Sequence, residues 1–379
     1  MFRRLLCSSL LAALCAACAD SPSPSPNPPD AAATRSAIDA AIDWLVRHQD
    51  EDGRWDADAF MKHDVSGEAC DGAGNATHDV GVTGLALLAL LGSGNSTHSG
   101  PNAESVRRGV QWLRGQQHAE SGLIGTPSSN EFIYDHAIAA FALCEAMLLG
   151  DEKALRHSCQ RAVNYIESHR NPYAVWRYQP RDGDNDTSVT GWCVLALSSA
   201  KFAGLEVNPQ ALESAGHWLD QLTDPATGRT GYTERGGPSS RRVGDHSTRY
   251  PRDRGECMTA VSLLCRFLLG NDPKQDTVMA KQADLLLAKP PAWTADGSNV
   301  DEDYWYYATL GLYQMGGAAW QSWNARLTRV TTQVQHREGN RRGSFDPIGV
   351  WSADGGRVFT TALMCLCMEA SQRYAKIVR

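Results

Sequence analysis

Several features that would point to a familiar class of protein are missing from this 379-residue sequence. It has no basic surplus: 36 Lys and Arg stand against 43 Asp and Glu, a formal net charge of −7. Removing residues 1–18 would delete Arg3 and Arg4 but no acid, giving −9. A surface of that sign does not suit nucleic acid or anionic lipid. Beyond Cys15 and Cys18 near the N-terminus no C-x-x-C pair occurs, and no His/Cys spacing matches a structural zinc site, so neither metal nor cofactor is expected. Alternating strand patterns are also lacking, which leaves little room for an α/β fold.

The N-terminus is an address. Arg3 and Arg4 precede an apolar run from Leu5 to Ala17, too short to span a membrane as a mature helix, and a small-residue cleavage zone follows. Leu14-Cys15-Ala16-Ala17-Cys18 is similar to a lipoprotein box, which would make Cys18 the lipidated first residue; Ala17-Cys18-Ala19 is an ordinary cleavage alternative. The reading is a signal peptide over 1–18, a stiff Pro/Ser-rich tether over 19–34 and a folded domain over 35–379. Export to the periplasm or cell envelope follows, with the membrane reached only through the lipid on Cys18. Of 11 cysteines, most of those left after export sit in apolar helical runs. Cys144, Cys193, Cys265, Cys365 and Cys367 therefore read as small buried hydrophobes.

The rest of the chain repeats one plan six times: an amphipathic helix, a polar loop, then a short apolar helix. The apolar helices align from Thr83, His136, Thr190, Thr259, Tyr307 and Thr361. They are apolar nearly all round and rich in Ala and Gly, so they belong inside. The amphipathic partners, such as Ala103–Gln117 and Pro209–Leu222, carry a polar face and belong outside. No single hairpin can cover its apolar face alone, so a closed circle is the economical arrangement.

Two repeats share further detail. Trp44-Leu45, Gln49 and Gly53-Arg54-Trp55 return as Trp112-Leu113, Gln117 and Gly122-Leu123-Ile124. This pattern resembles the QW motif of squalene and oxidosqualene cyclases, and weaker copies follow down the chain. The resemblance implies an all-α fold, an (α/α)6 toroid of six helical hairpins like those of terpenoid cyclases and protein prenyltransferases. It covers about residues 35–374, and the motif is a stability device that catalyses nothing.

In such a ring the loops entering the inner helices line the mouth of a central cavity. Asp79, Asp186 and Asp303 stand at equivalent positions four residues before the aligned cores; they are either rim ligands or helix N-caps. Asp182-Gly183-Asp184-Asn185-Asp186-Thr187 resembles the D-x-D-D-T motif of class II cyclases, whose middle acid protonates an alkene. In direct register Asn185 takes the donor's place and cannot donate that proton; a one-residue shift makes Asp184 the donor. The competing reading is a polar turn and N-cap. The prenyltransferase zinc pair Asp-x-Cys is missing, with Glu256-Cys257 adjacent instead of spaced and Arg357 in place of the partner histidine. The Gly-Cys-Gly-Glu-Gln signature of thioester toroids is also missing.

An insertion from Thr233 to Arg254 carries six arginines, of which Arg249, Arg252 and Arg254 are expected on the rim with Arg357, facing an anion, or else in a solvated loop. Trp192 and Trp305 are expected to line the cavity beside them. Tyr134, Tyr178, Tyr232, Trp351 and Phe359 fall at the same end, where aromatics steady a cation or stack on a ligand. His63, Glu68, Cys70, Asp71 and His78 crowd one loop, but their spacing matches no metal motif.

The function these features favour is an exported toroid with a degenerate cyclase motif, used as a ligand-binding or interaction module. The occupant of its cavity would be an apolar or anionic small molecule or an extended polymer. The alternatives are a class II-type isoprenoid cyclase using Asp184, or a saccharide-processing toroid with Asp186 and Asp303 as an acid and base pair.

Overall fold

The computed structural model describes residues 31–65, 67–373 and 376–377. The signal peptide, Cys18 and most of the tether lie outside them. Among the described residues the architecture is helical, with two isolated bridges, Gln117 to Ile124 and Thr223 to Thr230, in place of any sheet.

The helices are α1 (Ala31–Arg47), α2 (Asp79–Gly92), α3 (Ala103–Gly115), α4 (Phe132–Gly150), α5 (Arg156–His169), α6 (Thr187–Phe202), α7 (Pro209–Leu222), the short α8 (Asp245–Arg249), α9 (Cys257–Leu268), α10 (Thr277–Leu287), α11 (Glu302–Met315), α12 (Gly317–Val334) and α13 (Ser352–Arg373). Helix α1 begins at Ala31, so 31–34 belong to the first helix and not to the tether.

Helices α2, α4, α6, α9, α11 and α13 pack in that order, and α13 returns to α2, closing an inner ring. Their sequences explain the burial: in α2 every residue from Gly81 to Leu91 is buried. Small residues let the backbones approach. A Cβ added to Gly84 would meet Ile138 Cγ2 at 2.9 Å and the Ala139 nitrogen at 3.2 Å, so the α2–α4 contact requires glycine there. Helices α1, α3, α5, α7, α10 and α12 form the outer ring. In α3 the buried stripe is Val106, Gly109, Val110 and Leu113, the spacing of one helical face. Helix α4 is long and apolar enough to cross a membrane, yet most of it is buried inside the protein as a core helix.

Three glutamines bind the outer ring together in the same way. Gln49 Nε2 donates to Gly53 O at 2.9 Å and across to Ser105 O at 3.0 Å. Gln117 does so to Gly122 O and Ser158 O at 3.1 and 3.0 Å. Gln335 does so to Gly343 O at 2.9 Å and to Ala37 O at 2.8 Å. Each thus ties a carbonyl of its own turn to a carbonyl on the next outer helix, and the third joins α12 to α1. The glycines are obligatory: Gly53, Gly122 and Gly343 all have positive φ, and a Cβ there would collide with Arg108 O, Arg161 O and Ala40 O. Behind them Trp55 and Trp176 are fully buried, their indole nitrogens donating to Leu45 O (2.7 Å) and Ile166 O (2.8 Å). The eight described cysteines are all free and buried, as expected of the five placed in apolar helices.

Candidate functional site

At one end of the ring lies a cavity of about 490 Å3, lined from all six inner helices or the loops entering them. Its wall is mainly apolar and aromatic, including Val82, Leu85, Ile138, Met258, Trp351 and Phe359. Trp192 lines it as the sequence suggested, stacked on Tyr306 (centroids 5.6 Å apart, planes 13°) with Tyr307 edge-on at 5.4 Å. Polar groups enter at four places.

The first is Asp303, in the opening turn of α11. It lines the cavity and is part-exposed there, and none of the hydrogen bonds or ion pairs of the described residues engages its carboxyl. Burial raises its pKa well above the usual carboxylate range. Asp301 and Glu302 add to that rise, Arg241 offsets part of it, and Asp354 adds again. A carboxyl whose charged form burial disfavours therefore sits in an aromatic wall. Arg241 gives it no ion pair because Asp301 holds that guanidinium at 2.7 Å, both side chains being buried.

The second is a relay. Tyr178 and Tyr232 line the cavity with hydroxyls 2.7 Å apart, and Tyr232 donates to Asp186 Oδ2 at 3.1 Å. Asp186 caps α6 by accepting from Val189 N at 2.8 Å. It has no exposed surface, and burial pushes its pKa up to about 7. Arg177 lies over both phenol rings, 5.3 and 5.7 Å from their centroids.

The third is a pair that the sequence did not join. His78 Nδ1 lies 3.1 Å from Asp135 Oδ2, linking the entry of α2 to the first turn of α4. Burial alone would lower the His78 pKa, but the hydrogen bond and charge of Asp135 outweigh it and raise the value. Burial also raises Asp135, against the opposing pull of His78.

The fourth is the insertion. It is pinned across the rim: Arg242 pairs with Asp354 at 3.0 Å and lies over the Trp351 ring, His246 Nε2 lies 2.9 Å from Val350 O, and the Tyr250 hydroxyl donates to Ile348 O at 3.0 Å. Of its arginines, Arg241 and Arg242 reach the cavity, where Arg177 also lines the wall.

The remaining expected rim residues lie elsewhere. Asp184 has a mostly exposed side chain, 3.6 Å from Arg177, and is not in the cavity wall. Asp79 is tied to Ala57 N (2.9 Å) and Arg54 (3.0 Å), and burial raises it to about 6. Arg249 lies over Tyr250 and Arg252 reaches the Arg241 carbonyl. Arg254 and Trp305 border a separate hollow with Lys289. Arg357 is fully buried and is a strut: it donates to Asp71 O at 2.9 Å, Ser344 Oγ at 3.0 Å and Asp346 at 2.8 Å.

The helical ring agrees with the comparisons. Residues 29–134 match the squalene-hopene cyclase C-terminal domain family. No curated protein sequence matches the chain. Among solved structures it is similar to an α-1,6-mannanase from Salegentibacter sp. (TM-score 0.60, 11% identity, 89% of this chain and 99% of that one). It is similar to a cellobiose 2-epimerase from Bacillus thermoamylovorans (0.57, 11%, 89% and 98%). A type II terpene cyclase from Scytonema matches as well (0.54, 13%, 90% and 98%). At these identities the likeness is one of fold. The chain is an α/α toroid, and the likeness to the squalene-hopene cyclase family lies in residues 29–134.

Proposed function

We propose that this toroid is an exported receptor for one small, largely apolar molecule carrying a polar or anionic end. The observation that carries the reading is the cavity, large enough for such a molecule, with an aromatic and aliphatic wall and a few convergent polar groups. The apolar body would lie against Trp192, Met258 and Phe359, and the polar end would face Arg177 and Arg242. Direct binding tests it: quenching of tryptophan fluorescence with squalene, isoprenoid alcohols, isoprenoid diphosphates and oligosaccharides as probes. An isoprenoid should bind to wild type and lose about tenfold or more in affinity in Trp192→Ala. Preferential binding of oligosaccharides would sink the proposal.

Asp303 supports a second, catalytic reading within the same cavity. A carboxyl whose proton burial favours, and which no hydrogen bond among the described residues engages, is suited to proton transfer to an alkene. Its O–H would break as a C–H bond forms at one alkene carbon. The other carbon would be left cationic, to be closed on by a neighbouring double bond and finally quenched by loss of a proton. The aromatic wall would steady the cation. Asp303, and not the exposed Asp184, is the donor this reading requires. The saccharide reading has less support, since Asp186 offers no surface to a glycosidic bond. Product analysis after incubation with the isoprenoid panel separates the two. Cyclised product lost in Asp303→Asn and kept in Asp184→Asn makes the protein a cyclase; bound ligand recovered unchanged makes it a receptor.

A further inference from the structure

Away from the cavity, the end of α1 presents His48 in one fixed orientation. Its ring stacks on Trp44 (centroids 4.1 Å apart, planes 24°) and meets Phe60 edge-on at 5.9 Å. Nδ1 lies 2.8 Å from the Trp44 carbonyl oxygen. A carbonyl oxygen only accepts, so Nδ1 carries the hydrogen. Nε2 then faces Asp64 Oδ1 at 3.1 Å. In the neutral ring this sets a bare lone pair against a carboxylate oxygen, two acceptors with nothing to share. Cys70 completes the surroundings: one ligand atom from each of His48, Asp64 and Cys70 lies within 4.8 Å of the others. The His48 and Asp64 side chains are 1% and 6% exposed, and Cys70 is buried.

We infer that His48 Nε2, Asp64 and Cys70 Sγ together hold one divalent ion of the zinc class, which pins the loop over 56–78 to the end of the first outer helix. Nitrogen, carboxylate and sulfur at one buried point are the donor set of a borderline-soft ion. The Nδ1 hydrogen bond to a backbone carbonyl is the outer contact that metal-bound imidazoles make, and it aims Nε2 at the ion. Asp64 is oriented as well, because its other oxygen accepts from Cys70 N at 2.6 Å. Binding of the ion at Sγ displaces the thiol proton of Cys70.

The site has a structural purpose in the loop it would hold. That loop runs from Trp55 over the kink of α13, where Gly356 has φ of 65° and a Cβ would meet Gly72 O and Gly74 N. Gly74 N donates to Ala57 O at 2.8 Å and Asn75 N to Asp354 O at 2.7 Å, and the loop ends at His78 in the cavity wall. Spacings of 16 and 6 residues between the three ligands, on a helix end and an irregular loop, hide the site from a motif search.

The test uses the full chain, purified without chelator, with metal content measured by inductively coupled plasma mass spectrometry. Wild type and Cys144→Ser, a buried thiol outside the cluster, should carry about one equivalent of zinc, and Cys70→Ser and His48→Gln below about a tenth. A second measurement needs no variant: cobalt-loaded wild type should show a thiolate-to-cobalt charge-transfer band. Wild type that holds below about a tenth of an equivalent even after incubation with zinc overturns the inference. Full zinc occupancy in Cys70→Ser, or a cobalt derivative without the charge-transfer band, overturns it equally.

Discussion

The Tyr232 hydroxyl donates to the Asp186 carboxylate at 3.1 Å and accepts from Tyr178 at 2.7 Å, so a carboxylate with no exposed surface communicates with the cavity through two phenols.

This arrangement makes stability depend on pH in a defined direction. Asp186 is raised from an ordinary 3.8 to about 7 by burial. A raised carboxyl contributes its stability in full below its unfolded value and loses it as pH climbs through the folded one. Wild type should therefore lose melting temperature between roughly pH 4 and pH 8 relative to Asp186→Asn, which keeps an N-cap without the charge. Parallel curves for the two proteins would refute the assignment.

The insertion is held by one buried and one exposed arginine, and they should behave differently. Arg241→Ala leaves Asp301 buried without its partner and should cost about 3 kcal/mol or more in urea unfolding. Arg242 pairs with Asp354 at the surface, so Arg242→Ala should cost under about 1 kcal/mol. The same variant should nevertheless speed proteolysis within 233–254. Equal losses of stability would contradict this division.

Gln335 is the clamp that joins the last outer helix to the first. Gln335→Ala removes two hydrogen bonds and the link between α12 and α1, a loss of roughly 1–3 kcal/mol. Gly343→Ala should cost more, since it adds backbone strain and a collision with Ala40 O. Thermal unfolding of both variants beside Gln49→Ala checks the ranking.

Anchoring is tested at Cys18. Cys18→Ser should move the protein from the membrane fraction to the soluble envelope fraction and abolish incorporation of labelled lipid. Unchanged partition would favour ordinary signal cleavage and a released domain.

Much of the ring was legible because its cause is periodic. The step from Thr83 to His136 to Thr190 marks the inner helices, and Gln49 with Gln117 marks the outer clamp. The site was less legible because its pairs form across the ring. His78 meets Asp135 only because α2 packs on α4, and nothing local to either residue records that. Asp303 stood out by position, but its lack of a partner depends on Asp301 having taken Arg241. Six arginines in one insertion gave the charge without saying which of them turn inward. Arg241 and Arg242 do, whereas the expected Arg249, Arg252 and Arg254 do not. The acidic run 182–187 drew attention to Asp184 because a motif was matched there, while the fold leaves that side chain in solvent.

The bond from Gln335 to Ala37 spans 298 residues, the longest reach of the three glutamine clamps. Each earlier clamp joins neighbours along the chain and can form as soon as both hairpins exist. This one brings together two ends of the ring, and it carries the largest loop-closure entropy of the three. The same closure brings α13 against α1 and α2. The position of that closure is a matter of where the chain is cut and not of architecture. A circular permutant joined across residues 31 and 373 and opened in the loop between α4 and α5 should therefore build the same ring with its last closure on a different side.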